Sequence, residues 1–227
     1  SWYSNLLLLA KLSQTEDQDG NLLEREAAIR FNYEGPLQSH AFIRPSLKKE
    51  GYNGQVFDLE ELYLHICLQP DAHSHAWLNL KVGDRVDYAN TQAGERVFAT
   101  TGFWYRFGRH LYFEASNTHE NMDVDQGWLY RANIAQMETA WQFNPRTFVR
   151  AILQYTNYTY NLDLYLDPED LDERERRLFT QLLFSYKVNP QTVIFVGYSD
   201  NSESYNGTGF TQADRTFFVK LGYAWVL

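Results

Sequence analysis

The chain has 227 residues, 44% hydrophobic, 22% charged and 16% aromatic, a composition too apolar and too aromatic for a disordered chain. Its formal charge of -9 argues against a nucleic-acid partner, which would need a basic face. The longest apolar runs, Leu6 to Ala10 and Val193 to Val196, fall far short of the ~20 residues of a spanning helix, and a single cysteine, Cys67, excludes both an intramolecular disulfide and a cysteine-rich zinc site.

Residues alternate faces along a strand, so every second position reports one environment. Ala27, Ile29, Phe31 and Tyr33 oppose Ala28, Arg30 and Asn32, and Leu78, Leu80 and Val82 oppose Trp77, Asn79 and Lys81. Val97, Ala99, Thr101, Phe103, Tyr105 and Phe107 then alternate with Thr100, Gly102, Trp104 and Arg106. An eighth strand over Trp128 to Phe143 holds two phases, Tyr130, Ala132 and Ile134 against Met137, Thr139 and Trp141, which predicts a β-bulge near Ala135. Pro45 is placed near a strand end, where no ladder donor is needed. Val149, Ala151, Leu153 and Tyr155 oppose Arg150 and Gln154, and Leu178 to Val188 repeats the theme. At the C-terminus Phe217, Val219, Leu221, Tyr223, Trp225 and Leu227 form one wholly apolar or aromatic face. Each run is roughly the ~9 to 11 residues of a spanning strand.

The connections alternate in length. Polar ones near 13–22, 47–56, 84–95, 118–127, 158–175 and 200–213 read as long loops. Between them lie Glu34-Gly35-Pro36, Gln69 to Ser74, Gly108-Arg109, Asn144-Pro145-Arg146 and Asn189-Pro190-Gln191, rich in turn formers. The expected fold is all-β: an antiparallel up-and-down transmembrane β-barrel of about twelve strands, with long acidic external loops and short periplasmic turns, as outer-membrane barrels have. Residues 1–227 read as a single domain with both termini periplasmic. Ser1 is no initiator, so the chain reads as a processed product or a piece of something longer.

On this phase the inward positions hold Arg30, Arg44, Lys81, Arg106, Arg131, Arg150, Lys187 and Lys220 against Glu61, Glu114 and Glu138, with Trp104 and Gln154 among them. The lumen is expected to lean basic, and these residues apart from Glu138, twelve in all, are the candidate pore lining. A basic wall focuses anions, and Trp77, Trp104, Tyr63 and Tyr112 offer stacking faces to a saccharide. The alternative is a plugged lumen in which the same charges pair for structure alone. Tyr155, Tyr186, Tyr223 and Trp225 are expected outward at the membrane interfaces.

Other constellations are weaker. Glu16, Asp17 and Asp19, and Asp163 to Glu175 with its nearby Arg174, Arg176 and Arg177, lack the regular spacing of a calcium loop. His65 and Cys67 face inward while His73 and His75 fall in the following turn, so no metal site and no cofactor are expected. His110 and Ser116 lie six positions apart on one strand, roughly 20 Å at ~3.4 Å per residue, too far for proton transfer. No enzyme activity and no catalytic residue are expected.

Several segments resemble one family: Gly35-Pro36-Leu37-Gln38-Ser39, Val86-Asp87-Tyr88-Ala89-Asn90, Gly108-Arg109-His110-Leu111, Arg146 to Tyr155, Leu183 to Val193 and Asp214 to Trp225. Together they are similar to the C-terminal barrel region of large uncharacterised bacterial outer-membrane proteins that carry a carbohydrate-binding-like β-sandwich in front. The resemblance covers almost the whole chain and departs at the end, Trp225-Val226-Leu227, where such barrels often finish on an aromatic. It implies a bacterial outer-membrane location, with lipid, lipopolysaccharide and the barrel-assembly machinery as partners, and a saccharide as solute beside the small anion that the basic lumen suggests. It also implies a second role, a closed membrane anchor for an N-terminal binding domain.

Overall fold

A computed structural model describes residues 2–225, so Leu227 and the chain ending lie outside the described residues. Twelve antiparallel strands follow one another in a single up-and-down sheet: β1 (Asn5–Glu16), β2 (Leu22–Gly35), β3 (Ser39–Tyr52), β4 (Gln55–Asp71), β5 (Ser74–Asp87), β6 (Gln92–Phe107), β7 (Leu111–Val124), β8 (Gly127–Asn144), β9 (Thr147–Tyr160), β10 (Arg174–Asn189), β11 (Thr192–Tyr205) and β12 (Thr211–Tyr223). Two single-turn 3-10 segments, Leu162–Leu164 and Pro168–Asp170, interrupt the β9–β10 connection. Among the described residues no ladder joins β1 to β12, so the sheet has two edges and is not a closed barrel.

Directly paired residues point to the same side of a sheet, so the register sorts every strand residue onto one of two faces. Glu26, Ala28, Phe42, Ser46, Leu59, Arg96, Ala132, Thr156 and Ser185 are buried, and the ladders put all of them on one face, while Val86 and Ser204, at the hairpin ends, are buried on the other. A single layer can bury only one face by curling around it. The opposite face carries Leu8, Leu12, Ile29, Phe31, Ile43, Leu47, Leu62, Phe103, Trp141, Leu182, Phe217 and Leu221, all large, apolar and exposed. This distribution inverts that of a water-soluble protein, whose buried face is the apolar one.

Three expected loops are strand. The connections at 47–56, 84–95 and 118–127 are mostly ladder, closed by short turns at Asn53-Gly54, Tyr88 to Thr91 and Asp125-Gln126. Polarity there marks the height at which the apolar face ends, while the hairpins run on, tied by pairs such as Lys49–Asp58 at 2.5 Å and Lys48–Glu61 at 3.7 Å. Strands of 12 to 18 residues result, longer than the ~9 to 11 that a bilayer requires.

The β8 expectation also changes. Ala135 stays in regular register, opposite Asn117 and Tyr155, and the β7–β8 irregularity falls at Met122/Asp123. The two phases of β8 are one continuous strand whose apolar side switches. Ala132 and Ile134 pack inside near the rim, while Met137, Thr139 and Trp141 occupy the apolar face lower down. Pro45 is not near a strand end but in the middle of β3, and the β2–β3 ladder skips Ile29 and Arg30 opposite it, where the missing N–H would have donated.

Candidate functional site: the charged face

The register brings eleven of the twelve expected lining residues together. Arg30, Arg44, Glu61, Lys81, Trp104, Arg106, Glu114, Arg150, Gln154, Lys187 and Lys220 all lie on the buried-side face, with Glu138 beside them. Arg131 does not join them. It pairs with Asn121 and Thr159 on the opposite face, is exposed, and lies 5.4 Å over the Trp128 ring. The misassignment has the same origin as the misplaced bulge, since a phase break at Ala135 would have turned Arg131 inward.

Charge on this face divides by height. Toward the long-strand rim, acids and bases pair. Glu26 is held between Lys11 and Arg44. Arg96, 9% exposed, reaches Glu61 at 2.9 Å and Glu120 at 3.7 Å, and Lys48 and Arg85 extend the chain of pairs at 3.7 and 3.8 Å. Buried charges need such partners, because desolvation is otherwise uncompensated.

Toward the short turns the pattern differs. Among the described residues no ion pair reaches Arg106, Arg150, Lys187 or Lys220. Arg150 donates to the Gln181 side chain at 3.2 Å, and Arg106 lies 4.8 Å over Trp104 and 5.9 Å over Tyr112. Glu114 and Glu138 sit directly opposite each other and Glu114 accepts from the Tyr112 hydroxyl. Among the described residues neither forms an ion pair with a cation of this group. His75 and Trp104 stack at 5.9 Å between ring centroids, and Lys81 lies 5.0 Å over Tyr63. Cationic and aromatic groups therefore share the short-turn half.

The β9–β10 connection reaches over the rim. Leu164 and Tyr165 pack on the buried cluster of Met122, Val124 and Leu129. The Leu166 N–H donates to the Asn90 side chain at 2.8 Å, tying this loop to the β5–β6 turn. Burial pushes the Tyr165 hydroxyl well above its ordinary pKa, and the Asp87 charge adds to this. The acids of the segment dominate its sequence and lack the spacing of a calcium loop. The apolar Leu164-Tyr165-Leu166 step within it was the available signal.

The opposite face is uncharged over a continuous band. From Leu6 to Ala10 on β1, Ile29 to Tyr33 on β2, and onward to Phe217 to Tyr223 on β12, the alternate positions facing this side hold no Asp, Glu, Lys or Arg, and one rung further toward the rim Glu60 faces Leu47. A polar collar follows on each strand, including Arg25, Lys49, Asp58, Asp84, Glu95, Arg176, Asp200 and Arg215. Tyr155, Tyr186 and Tyr223 lie on this face. Tyr155 is near the collar, Tyr186 and Tyr223 near the short turns, and Trp225 follows β12 with its ring 5.3 Å from that of Tyr223.

His110 lies in the β6–β7 turn with its ring nitrogen 2.7 Å from the Gln142 carbonyl, apart from Ser116. No protein-family model matches the chain, and no curated protein matches it in sequence.

Proposed function

We propose that the chain is an outer-membrane β-barrel protein whose charged face lines a pore for small anionic or saccharide solutes. The observation that carries this is the uncharged, exposed apolar band opposite a buried charged face. An Arg or Lys facing hydrocarbon costs about 2 to 4 kcal/mol at midplane, and the absence of any formal charge from the band over twelve strands is what that cost selects. In water the same band would be an aggregation surface. Tyr155 on one side and Tyr186, Tyr223 and Trp225 on the other suit the two headgroup levels. The band faces lipid and lipopolysaccharide, and the assembly machinery of the outer membrane is the corresponding partner.

Conduction, rather than a filled interior, is favoured by the four cations that have no carboxylate partner among the described residues. A structural plug would neutralise Arg106, Arg150, Lys187 and Lys220, whereas a solvated wall keeps them for a passing anion. The Trp104 and Tyr112 faces beside Arg106 suit a sugar ring. The resemblance to outer-membrane proteins with a carbohydrate-binding-like sandwich supports the saccharide reading. A pore also requires the two sheet edges to be closed in the membrane.

A second reading, a closed anchor for a further domain, has one observation in its favour: the Tyr165 loop that packs over the rim. Planar-bilayer recordings on the purified chain separate the two. Discrete conductance steps support the pore, and a silent bilayer containing correctly inserted protein overturns it.

A further inference from the structure

We propose that His40, His65 and Cys67 form a binding site for a zinc-class divalent cation on the charged face near the short turns. Their ligating atoms, one from each side chain, lie within 4.8 Å of one another. His40 and Cys67 are direct partners across the β3–β4 ladder, and His65 lies two residues from Cys67 on the same face. Rigid, paired strands therefore present all three, the firmest support a site can have.

The donor set fits the ion. Imidazole nitrogen at ~2.0–2.1 Å and thiolate sulfur at ~2.3 Å are preferred zinc ligands. A tetrahedral centre at those bond lengths wants its donors about 3.3 to 3.7 Å apart, so small side-chain rotations close the gap. Binding replaces the Cys67 S–H bond by an S–metal bond and releases the proton to solvent, with no change of oxidation state. Three protein ligands leave a fourth position for water or a solute, the open arrangement of zinc sites that handle ligands.

A second feature, independent of the proximity, points the same way. The His65 Nδ1 sits 2.8 Å from the Asn79 side-chain oxygen, which also accepts from the Tyr63 hydroxyl at 3.0 Å. An amide oxygen with the Tyr63 O–H already on it can only accept from His65, so the Nδ1 carries the proton and the Nε2 lone pair is free. Metal-bound histidines are held in this way by a hydrogen bond from their other nitrogen. His75, one strand further, has a buried Nδ1 with no hydrogen-bond partner among the described residues and stacks on Trp77, the ladder partner of Cys67. This makes the surroundings of the site aromatic and partly dry. The site rests on the β3–β4 register with support from Asn79 on β5 and needs no closed lumen, so it stands or falls separately from conduction.

The test titrates the reduced full chain in detergent with Co2+. The expected result is one equivalent bound, with an intense thiolate-to-cobalt absorption that Zn2+ displaces. C67S abolishes that absorption, and H40A and H65A each weaken binding at least tenfold. N79A weakens it by about tenfold, the usual effect of removing such a support, while H73A, altered in the exposed turn, leaves it unchanged. Protection of Cys67 from alkylation by Zn2+ in the unaltered chain gives a readout that needs no variant. Absence of both the absorption and the protection overturns the site, as does an H73A loss equal to that of H40A.

Discussion

His40 and Cys67 face each other across the β3–β4 ladder because Asn53 and Gly54 turn the chain midway between them. Both turn residues have positive φ, 49° and 75°, the combination of the two-residue hairpin turn for which Asn-Gly is the preferred sequence. Such a turn fixes the register of everything below it. The two side chains are therefore neighbours for a reason that lies 13 residues away from either.

Replacing His40 by Cys should let it form an intramolecular disulfide with Cys67, since directly opposed residues are ~4.5 to 5.5 Å apart at Cα, within disulfide range. Mild oxidation of H40C should give a single crosslinked species by mobility shift. Adding G54V, which forces a β-branched residue to positive φ at a cost of about 1–3 kcal/mol, should lower the yield. A register displaced by one residue would give no crosslink.

A charge on the apolar face should be far more costly than the same charge one position along. Leu182 is 50% exposed on that face, and Gln181 faces the other side. L182R should destabilise the vesicle-inserted protein by about 2 to 4 kcal/mol, and Q181R by much less. Urea unfolding from lipid vesicles measures both. Equal losses would remove the argument for a lipid-facing band.

These faces were legible in the sequence because period-two alternation is strongest where one side meets a uniform environment. Leu178 to Val188 and Phe217 to Tyr223 read correctly for that reason. Alternation fades at the collar, where both faces become polar, and the hairpin tips of β3–β4, β5–β6 and β7–β8 were read as loops. The β8 switch misled in the same way: Ile134 and Met137 are each apolar, but one packs inside and the other faces out. His40 is not legible as a neighbour of His65 and Cys67, because it reaches them across the β3–β4 hairpin, 27 positions from Cys67. The turn at Asn53-Gly54 held the information.

The Tyr165 loop should act as a constriction at the rim. Y165A removes its contact with Met122 and Leu129, and N90A removes the acceptor for the Leu166 N–H. Each should raise single-channel conductance or open probability, and the pair together should do little more than one, as they release the same loop. Unchanged traces in both variants would place the loop outside the conducting path.

At the β1–β2 loop, acid should release one local structure. The Asn21 side chain and its N–H, with the N–H groups of Asp19 and Gly20, hold the Asp17 carboxyl below the ordinary carboxylate range. A lowered folded-state pKa means that the stabilisation is complete above the unfolded pKa and is lost as pH falls through the folded one. Amide shifts of Asp19 and Asn21 in an NMR titration should move with a midpoint below that of an ordinary aspartate. A midpoint at or above that value contradicts the geometry.

The charge of the short-turn half makes the sharpest prediction. Arg106, Arg150, Lys187 and Lys220 come from β6, β9, β10 and β12 but share one face, so a closed barrel would gather them around a common interior. The rim acids cannot compensate them, because Glu61 is committed to Arg96 and Lys48, and Glu26 to Lys11 and Arg44. Glu114 and Glu138 share this half but two acids against four cations leave the wall net positive, which raises the local anion concentration, and anions should carry most of the current. R150Q with K187Q should reduce that preference several-fold while leaving insertion nearly intact, since lumen substitutions tune selectivity more than stability. E26Q, at the paired rim, should leave the selectivity almost unchanged. Reversal potentials in a salt gradient read the ratio directly, and cation preference in the unaltered protein would sink the basic-wall reading.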